Sequence, residues 1–203
     1  AVRQAEQQIS NGFSASFGDL VARERPEKVD HTLCRMTSLF QLFGMIMSCG
    51  LMSCASTFVS IWIGKKYVLA APVVFICCIN IYLTIVKDPL WQAMDACGLF
   101  AYDRNLAIIS TTINLVVSVI LGIYYGMCGI FIGTAVSTIF EVVFKSTGIY
   151  RQKLLVSGKL YRTLWLKMTV SETLALITAY YIRMIPVTNL YLRFLVQGIA
   201  TVM

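Results

Sequence analysis

Charged residues are concentrated in one short segment of an otherwise apolar chain. The segment KDPLWQAMDACGLFAYDRN, Lys87 to Asn105, contains three aspartates, one lysine and one arginine. Asp88 and Asp95 are seven residues apart, so a helix would present both carboxyl groups on one face. An ionised side chain near membrane depth costs about 2.5–3.5 kcal/mol unless it meets water, a headgroup or an ionic partner. The pattern therefore indicates either a solvated connection between two helices or the charged lining of a polar path.

Polar side chains continue from this segment into the apolar blocks on either side. Asn80 extends the aspartate face backwards, and a stripe from Ser110 to Gly122 recurs every four residues along one helix face. Such a stripe serves either for hydrogen bonds between helices or as a cavity lining. For a polar path, the sequence offers four candidate residues: Asn80, Asp95, Arg104 and Asn114.

The residues needed for covalent catalysis or metal binding do not form a recognisable set. The seven cysteines lie mostly inside apolar runs, and Cys77 and Cys78 are adjacent, without the spacing of zinc ligands. We interpret the cysteines as small packing residues. His31 is the only histidine, and the sequence shows no Ser-His-Asp set or glycine-rich phosphate loop. We therefore expect a protein that is not an enzyme and that uses no metal and no cofactor.

The composition is that of a membrane protein. Of the 203 residues, 58% are hydrophobic and 13% are charged, against about 25% charged residues in soluble domains. The apolar residues form long blocks, and a helix needs about 20 residues to cross a bilayer. We predict an all-α polytopic membrane protein with about six transmembrane helices, at 36–63, 68–86, 106–124, 127–144, 168–182 and 190–203. Residues 1–17 read as the end of a preceding helix, and the chain as a piece of a longer polypeptide.

Basic residues predict the orientation of the spans. Most of the 17 lysines and arginines lie in alternate connections, above all between Lys145 and Lys167. The positive-inside rule places these connections in the cytoplasm, where they would also face anionic lipid headgroups. Since the basic residues form no compact domain, a nucleic-acid partner is not expected.

Four glycines predict close contact between two of the spans. The segment YYGMCG is long enough only for a tight hairpin, and glycines four residues apart allow helix backbones to approach closely in lipid. We predict helix packing at Gly122, Gly126, Gly129 and Gly133.

A longer segment resembles a known transporter family. DACGLFAYDRNLAIISTTINLVVSVILGIYYGMCGIFIGTAVST is similar to the late transmembrane region of bacterial polysaccharide (O-antigen type) flippases, in the multidrug/oligosaccharidyl-lipid/polysaccharide exporter superfamily. The shared motifs are Asp-Ala-x-Gly-Leu-Phe, Asp-Arg, Asn-Leu, an aromatic-Gly-x-x-Gly hairpin and Gly-Thr-x-x-Ser. The resemblance extends from about Gln7 to Leu154, and the order and spacing of these short motifs make it fairly specific.

The resemblance implies a two-lobe transporter of which this chain is most of the C-terminal lobe. Such proteins move a polyprenyl-pyrophosphate-linked oligosaccharide from the cytoplasmic to the outer leaflet, usually by ion-coupled alternating access. The implied location is the bacterial cytoplasmic membrane, as a multi-pass protein, and the implied partners are the lipid bilayer, this substrate and a coupling ion.

One departure from the family pattern concerns an acidic residue. An aromatic residue, an acid and a proline are expected near the end of the Gly133 helix, but this chain has VFKST, and its acid, Glu141, lies earlier. Glu141 precedes Lys145 by four residues, a spacing that favours a local ion pair. An ion-coupled multidrug exporter of the same superfamily and a non-transporting membrane scaffold remain alternatives. A glycan polymerase or ligase is disfavoured because the outer connections are short.

Overall fold

The computed structural model describes residues 17–155 and 157–183, and in this part of the chain the regular structure is entirely helical. A segment at 17–23 is helical, and five long helices follow: α1 (Pro26–Trp62), α2 (Ala71–Ala96), α3 (Phe100–Tyr125), α4 (Met127–Ile149) and α5 (Lys159–Arg183). A 3₁₀ turn, Lys65–Tyr67, joins α1 to α2, and a π-helical turn, Tyr150–Leu154, extends α4.

Four of these helices are long and apolar enough to cross a membrane. They are α1, α2, α3 and α4 with its π-helical turn. The prediction of an all-α polytopic membrane protein is thereby confirmed.

The predicted spans can be placed on these helices. The ranges 36–63, 68–86, 106–124 and 127–144 overlap α1 to α4 in that order, and 168–182 lies within α5, which is less apolar than the other four. The span predicted at 190–203 and the helix end predicted at 1–17 fall, apart from Phe17, outside the described residues.

Local sequence explains where several helices begin and end. Prolines occupy the first turn of α1 and of α2, where the missing N–H group would have no helical partner. α2 continues through Pro89 to Ala96, because its last turns are held by burial of Leu90 and Met94. α3 ends at Gly126, whose φ of +60° allows the chain to reverse directly into α4.

The helices pack in an order that differs from their order along the chain. α4 contacts both α3 and α2, α2 also contacts α1, and α1 contacts α5, whereas α2 and α3 touch little. The spatial order is therefore α3, α4, α2, α1, α5. α3 lies at one side and exposes large apolar residues such as Leu115 and Ile123, a surface suited to contact with lipid.

Two apolar clusters fill the space between the helices. One lies at the end with the α2–α3 and α4–α5 connections and includes Leu33, Leu90, Met94 and Ile149. The other lies towards the opposite end, where Met52 and Cys78 meet α5. All seven cysteines are free thiols and four are buried, as expected for residues that pack rather than bind a metal.

Candidate functional site: a charged network between three helices

The charged residues of α2, α3 and α4 form one interhelical network. Lys145 Nζ on α4 lies 2.7 Å from Asp103 Oδ1 on α3, and Lys87 Nζ on α2 lies 3.0 Å from Glu141 Oε2 on α4. Ser110 Oγ on α3 donates a hydrogen bond of 2.6 Å to the other carboxylate oxygen of Glu141. Glu141 therefore connects α4 to both neighbouring helices.

The start of α3 is held against the end of α4, which brings Asp103 to Lys145. Tyr102 donates a hydrogen bond of 3.2 Å from its hydroxyl to the carbonyl oxygen of Phe144. Its ring packs on Gly148 so closely that a Cβ at that position would lie 2.3 Å from Tyr102 Cε1. Only glycine leaves room for this contact, which fixes the first turn of α3.

The two ion pairs differ in burial. The side chains of Lys145 and Asp103 are 5% and 17% exposed, while those of Lys87 and Glu141 are 30% and 16% exposed. Removing a charge from water is costly, and a close partner of opposite sign recovers part of that cost. The Lys145–Asp103 pair therefore depends more strongly on its partner than the Lys87–Glu141 pair does.

The predicted local ion pair between Glu141 and Lys145 is wrong. Each residue instead has its closest ionic partner on another helix. The i,i+4 rule describes exposed pairs worth about 0.2–0.5 kcal/mol, whereas these two side chains lie where α4 is covered by α2 and α3. Buried charges are best stabilised by partners that approach them directly.

The structure uses two of the predicted path residues for helix contacts. Asn80 Nδ2 donates a hydrogen bond of 2.9 Å to the carbonyl oxygen of Phe131, joining α2 to α4. Asn114 Oδ1 accepts a hydrogen bond of 2.8 Å from Ser118, whose hydroxyl also lies 3.1 Å from the carbonyl oxygen of Ile130 on α4. These contacts favour the hydrogen-bonding interpretation of the stripe over a cavity lining.

The other two path residues lie near the α2–α3 turn. Asp95 is half-buried on the last turn of α2, where the charges of Asp103 and Lys145 act on it. Arg104 is exposed on the first turn of α3 and takes part in none of the four ion pairs seen among the described residues. The structure thus brings Asp95 to the charged network and leaves Arg104 at the surface.

The four hairpin glycines have two different roles. A Cβ on Gly129 would lie 2.0 Å from the carbonyl oxygen of Leu121, and one on Gly133 would lie 2.7 Å from the backbone nitrogen of Ser118. Gly122 makes a looser contact, at 3.2 Å from Ile130 Cγ1. Gly126 has nothing within 4 Å and serves the turn through its positive φ, so the packing predicted for it falls to the other three.

A buried carboxyl group on α5 was not among the residues singled out from the sequence. Glu172 is 2% exposed and accepts a hydrogen bond of 2.5 Å from Ser48 on α1. Its second oxygen is buried and has no hydrogen-bond partner among the described residues. The signal was available, because Glu172 is the one acid between Met168 and Ile182 and an acid in a span is a functional candidate by default.

The described residues supply ion pairs and hydrogen bonds between helices. They contain no group of three or more histidine, cysteine, aspartate or glutamate residues placed to hold a metal ion. No family model, curated protein or solved structure matches this chain.

Proposed function

We propose that this chain is part of a transporter that moves a lipid-linked oligosaccharide across the bacterial cytoplasmic membrane. The observation that carries the proposal is the position of the Asp-Ala-x-Gly-Leu-Phe and Asp-Arg motifs. Together they form the end of α2, the turn and the start of α3, and their Asp103 pairs with the buried Lys145. The motifs behind the resemblance to polysaccharide flippases are therefore the same residues that join the charged network.

The proposed mechanism assigns separate roles to the surface and to the network. Arg104 is exposed at the end where the basic connections predict the cytoplasm. Its guanidinium group is suited to pair with the pyrophosphate of the substrate. The apolar outer face of α3 would lie beside the polyprenyl tail, while the ion pairs keep α2, α3 and α4 together as the lobes move. No cofactor is required, and a coupling ion would supply the driving force.

The test uses the full-length protein that contains this chain, reconstituted into vesicles with a fluorescent polyprenyl-pyrophosphate oligosaccharide. Translocation is read as the fraction of glycan that a glycosidase outside the vesicles can reach over time. We expect Arg104→Gln to slow translocation about tenfold, as for the loss of one charge-assisted contact. Lys153→Gln, an exposed charge change away from α3, is the matched control and should leave the rate unchanged.

The alternatives give different results in the same vesicles. An ion-coupled multidrug exporter would move a cationic dye and leave the glycan in place. A scaffold would move neither. Either result, obtained with protein shown to be folded, would refute the proposed substrate.

A further inference from the structure

A polar cavity lies where α4, its π-helical turn and α5 meet. Its volume is about 220 Å³, and two arginines and three hydroxyl side chains contribute to its lining: Arg151, Arg162, Ser146, Thr147 and Ser157. No acidic residue lines it. A concave site with two guanidinium groups and no carboxylate is an electrostatic match for an anion.

The walls of this cavity are held by contacts to other helices. The Tyr150 hydroxyl donates a hydrogen bond of 2.5 Å to the buried Asp30 on α1. Gly158 lies directly over the Tyr150 ring, where a Cβ would come within 2.9 Å of Tyr150 Cγ, and its φ is +56°. Since the ring is anchored to α1 and the connection packs on the ring, the cavity is formed before any ligand binds.

The two arginines are available to a ligand. Both are exposed, and neither takes part in the four ion pairs seen among the described residues. The hydrogen bond found for Arg162 is a long one of 3.4 Å from Nη2 to the carbonyl oxygen of Ser157. Arginine presents several donors in a planar fork that matches phosphate oxygens.

We propose that this cavity binds a phosphate group, carried either by an anionic lipid headgroup or by a free phosphate. The cavity opens at the end of the molecule where the basic connections predict the cytoplasmic leaflet, which is rich in anionic lipid. Its volume is below the range of about 300–1,000 Å³ typical of pockets for drug-sized ligands, so it suits a headgroup. The proposal stands independently of the glycan transport proposed above.

The test measures binding to the purified full-length protein with two probes, short-chain phosphatidylglycerol and inorganic phosphate. Arg151→Gln and Arg162→Gln should each weaken binding about tenfold, the loss expected for one charge-assisted contact. Lys153→Gln removes a neighbouring exposed charge that does not line the cavity, and we expect a change of about twofold or less.

The two probes separate the sources of the phosphate. Binding of phosphatidylglycerol that inorganic phosphate does not displace supports a headgroup site, and displacement supports a site for phosphate itself. Because both arginines are exposed, the variants should keep the wild-type melting temperature, so that lost binding is not lost folding. Equal weakening by all three substitutions would show a diffuse surface charge effect and overturn the proposal, as would no binding of either probe.

Discussion

Removing the charge of Lys145 is expected to destabilise the protein more than any other single charge removal in the network. The Lys145 side chain is 5% exposed and lies 2.7 Å from Asp103 Oδ1, and its charge also acts on Glu141 and Asp95. Lys145→Met keeps the length and apolar stem of the side chain. It leaves three carboxyl groups with one fewer cation among them.

The magnitude follows from burial. Breaking a buried ion pair by removing one partner costs about 3–5 kcal/mol. Asp103 is 17% exposed and regains some hydration, so we expect a loss of about 2–4 kcal/mol. A loss of 1 kcal/mol lowers the melting temperature of a chain of this size by about 2–4 °C, which gives a decrease of roughly 4–16 °C. Lys87→Met, at a side chain that is 30% exposed, should cost about 1 kcal/mol or less.

The assay is thermal unfolding of the full-length protein in detergent, followed with a thiol-reactive fluorophore. Four buried free cysteines become reactive only on unfolding: Cys34, Cys49, Cys78 and Cys97. Burial raises the pKa of the Cys97 thiol, which lowers its reactivity further in the folded state. Lys153→Met, at an exposed site, provides the control for removing a lysine.

A double-mutant cycle identifies the partner. Combining Lys145→Met with Asp103→Asn should show a coupling of about 1–3 kcal/mol, and combining it with Glu141→Gln a smaller one. A melting temperature for Lys145→Met equal to that of the Lys153→Met control would refute the reasoning from burial. A larger coupling to Glu141 than to Asp103 would restore the local pair that the spacing along α4 had indicated.

Three further predictions concern the hairpin, the topology and the α2–α3 turn. Gly133→Ala should cost about 1–3 kcal/mol by forcing a Cβ against Ser118, measured as a lower melting temperature than that of Gly50→Ala, where a Cβ meets nothing within 4 Å. Ser157→Cys, in a background without other cysteines, should react with a membrane-impermeant reagent in inverted vesicles and not in intact cells; labelling of intact cells would reverse the orientation. Asp95→Asn should impair glycan export at normal protein abundance; a parallel loss of both would make Asp95 structural, and full export would show that its charge is not needed.

The sequence predicted the helices well because the signal is local. Each apolar block of 15 to 28 residues in the described part of the chain lies on a helix. The ends were less accessible to prediction, since α2 runs on to Ala96 although Lys87 and Asp88 end the apolar block. What extends α2 is burial of Leu90 and Met94 against other helices, and this contact is not visible along the chain.

The site was harder to predict because its pairs join residues far apart in sequence. Lys87 lies 54 residues before Glu141, and the pairing depends on α4 lying between α2 and α3. Nothing in the spacing of charges indicates that α2 and α3, although joined by a tight turn, would be separated by α4. The local rule applied to Glu141 and Lys145 therefore gave the wrong partner, while the hairpin glycines, whose contacts are between adjacent helices, could be read directly.

The polar contacts divide the described helices into two sets, and this division bears on how a transporter lobe could move. Ion pairs and hydrogen bonds join α2, α3 and α4, mostly through α4. α5 is joined to α1 by Ser48 and Glu172, and α1 to the π-helical turn by Asp30 and Tyr150. Interhelical hydrogen bonds in membranes contribute only about 0.6 kcal/mol each on average, less than a buried ion pair loses when it is broken. If α5 shifts during transport, the contact between Ser48 and Glu172 is therefore the one that yields first, while α2, α3 and α4 move as one unit.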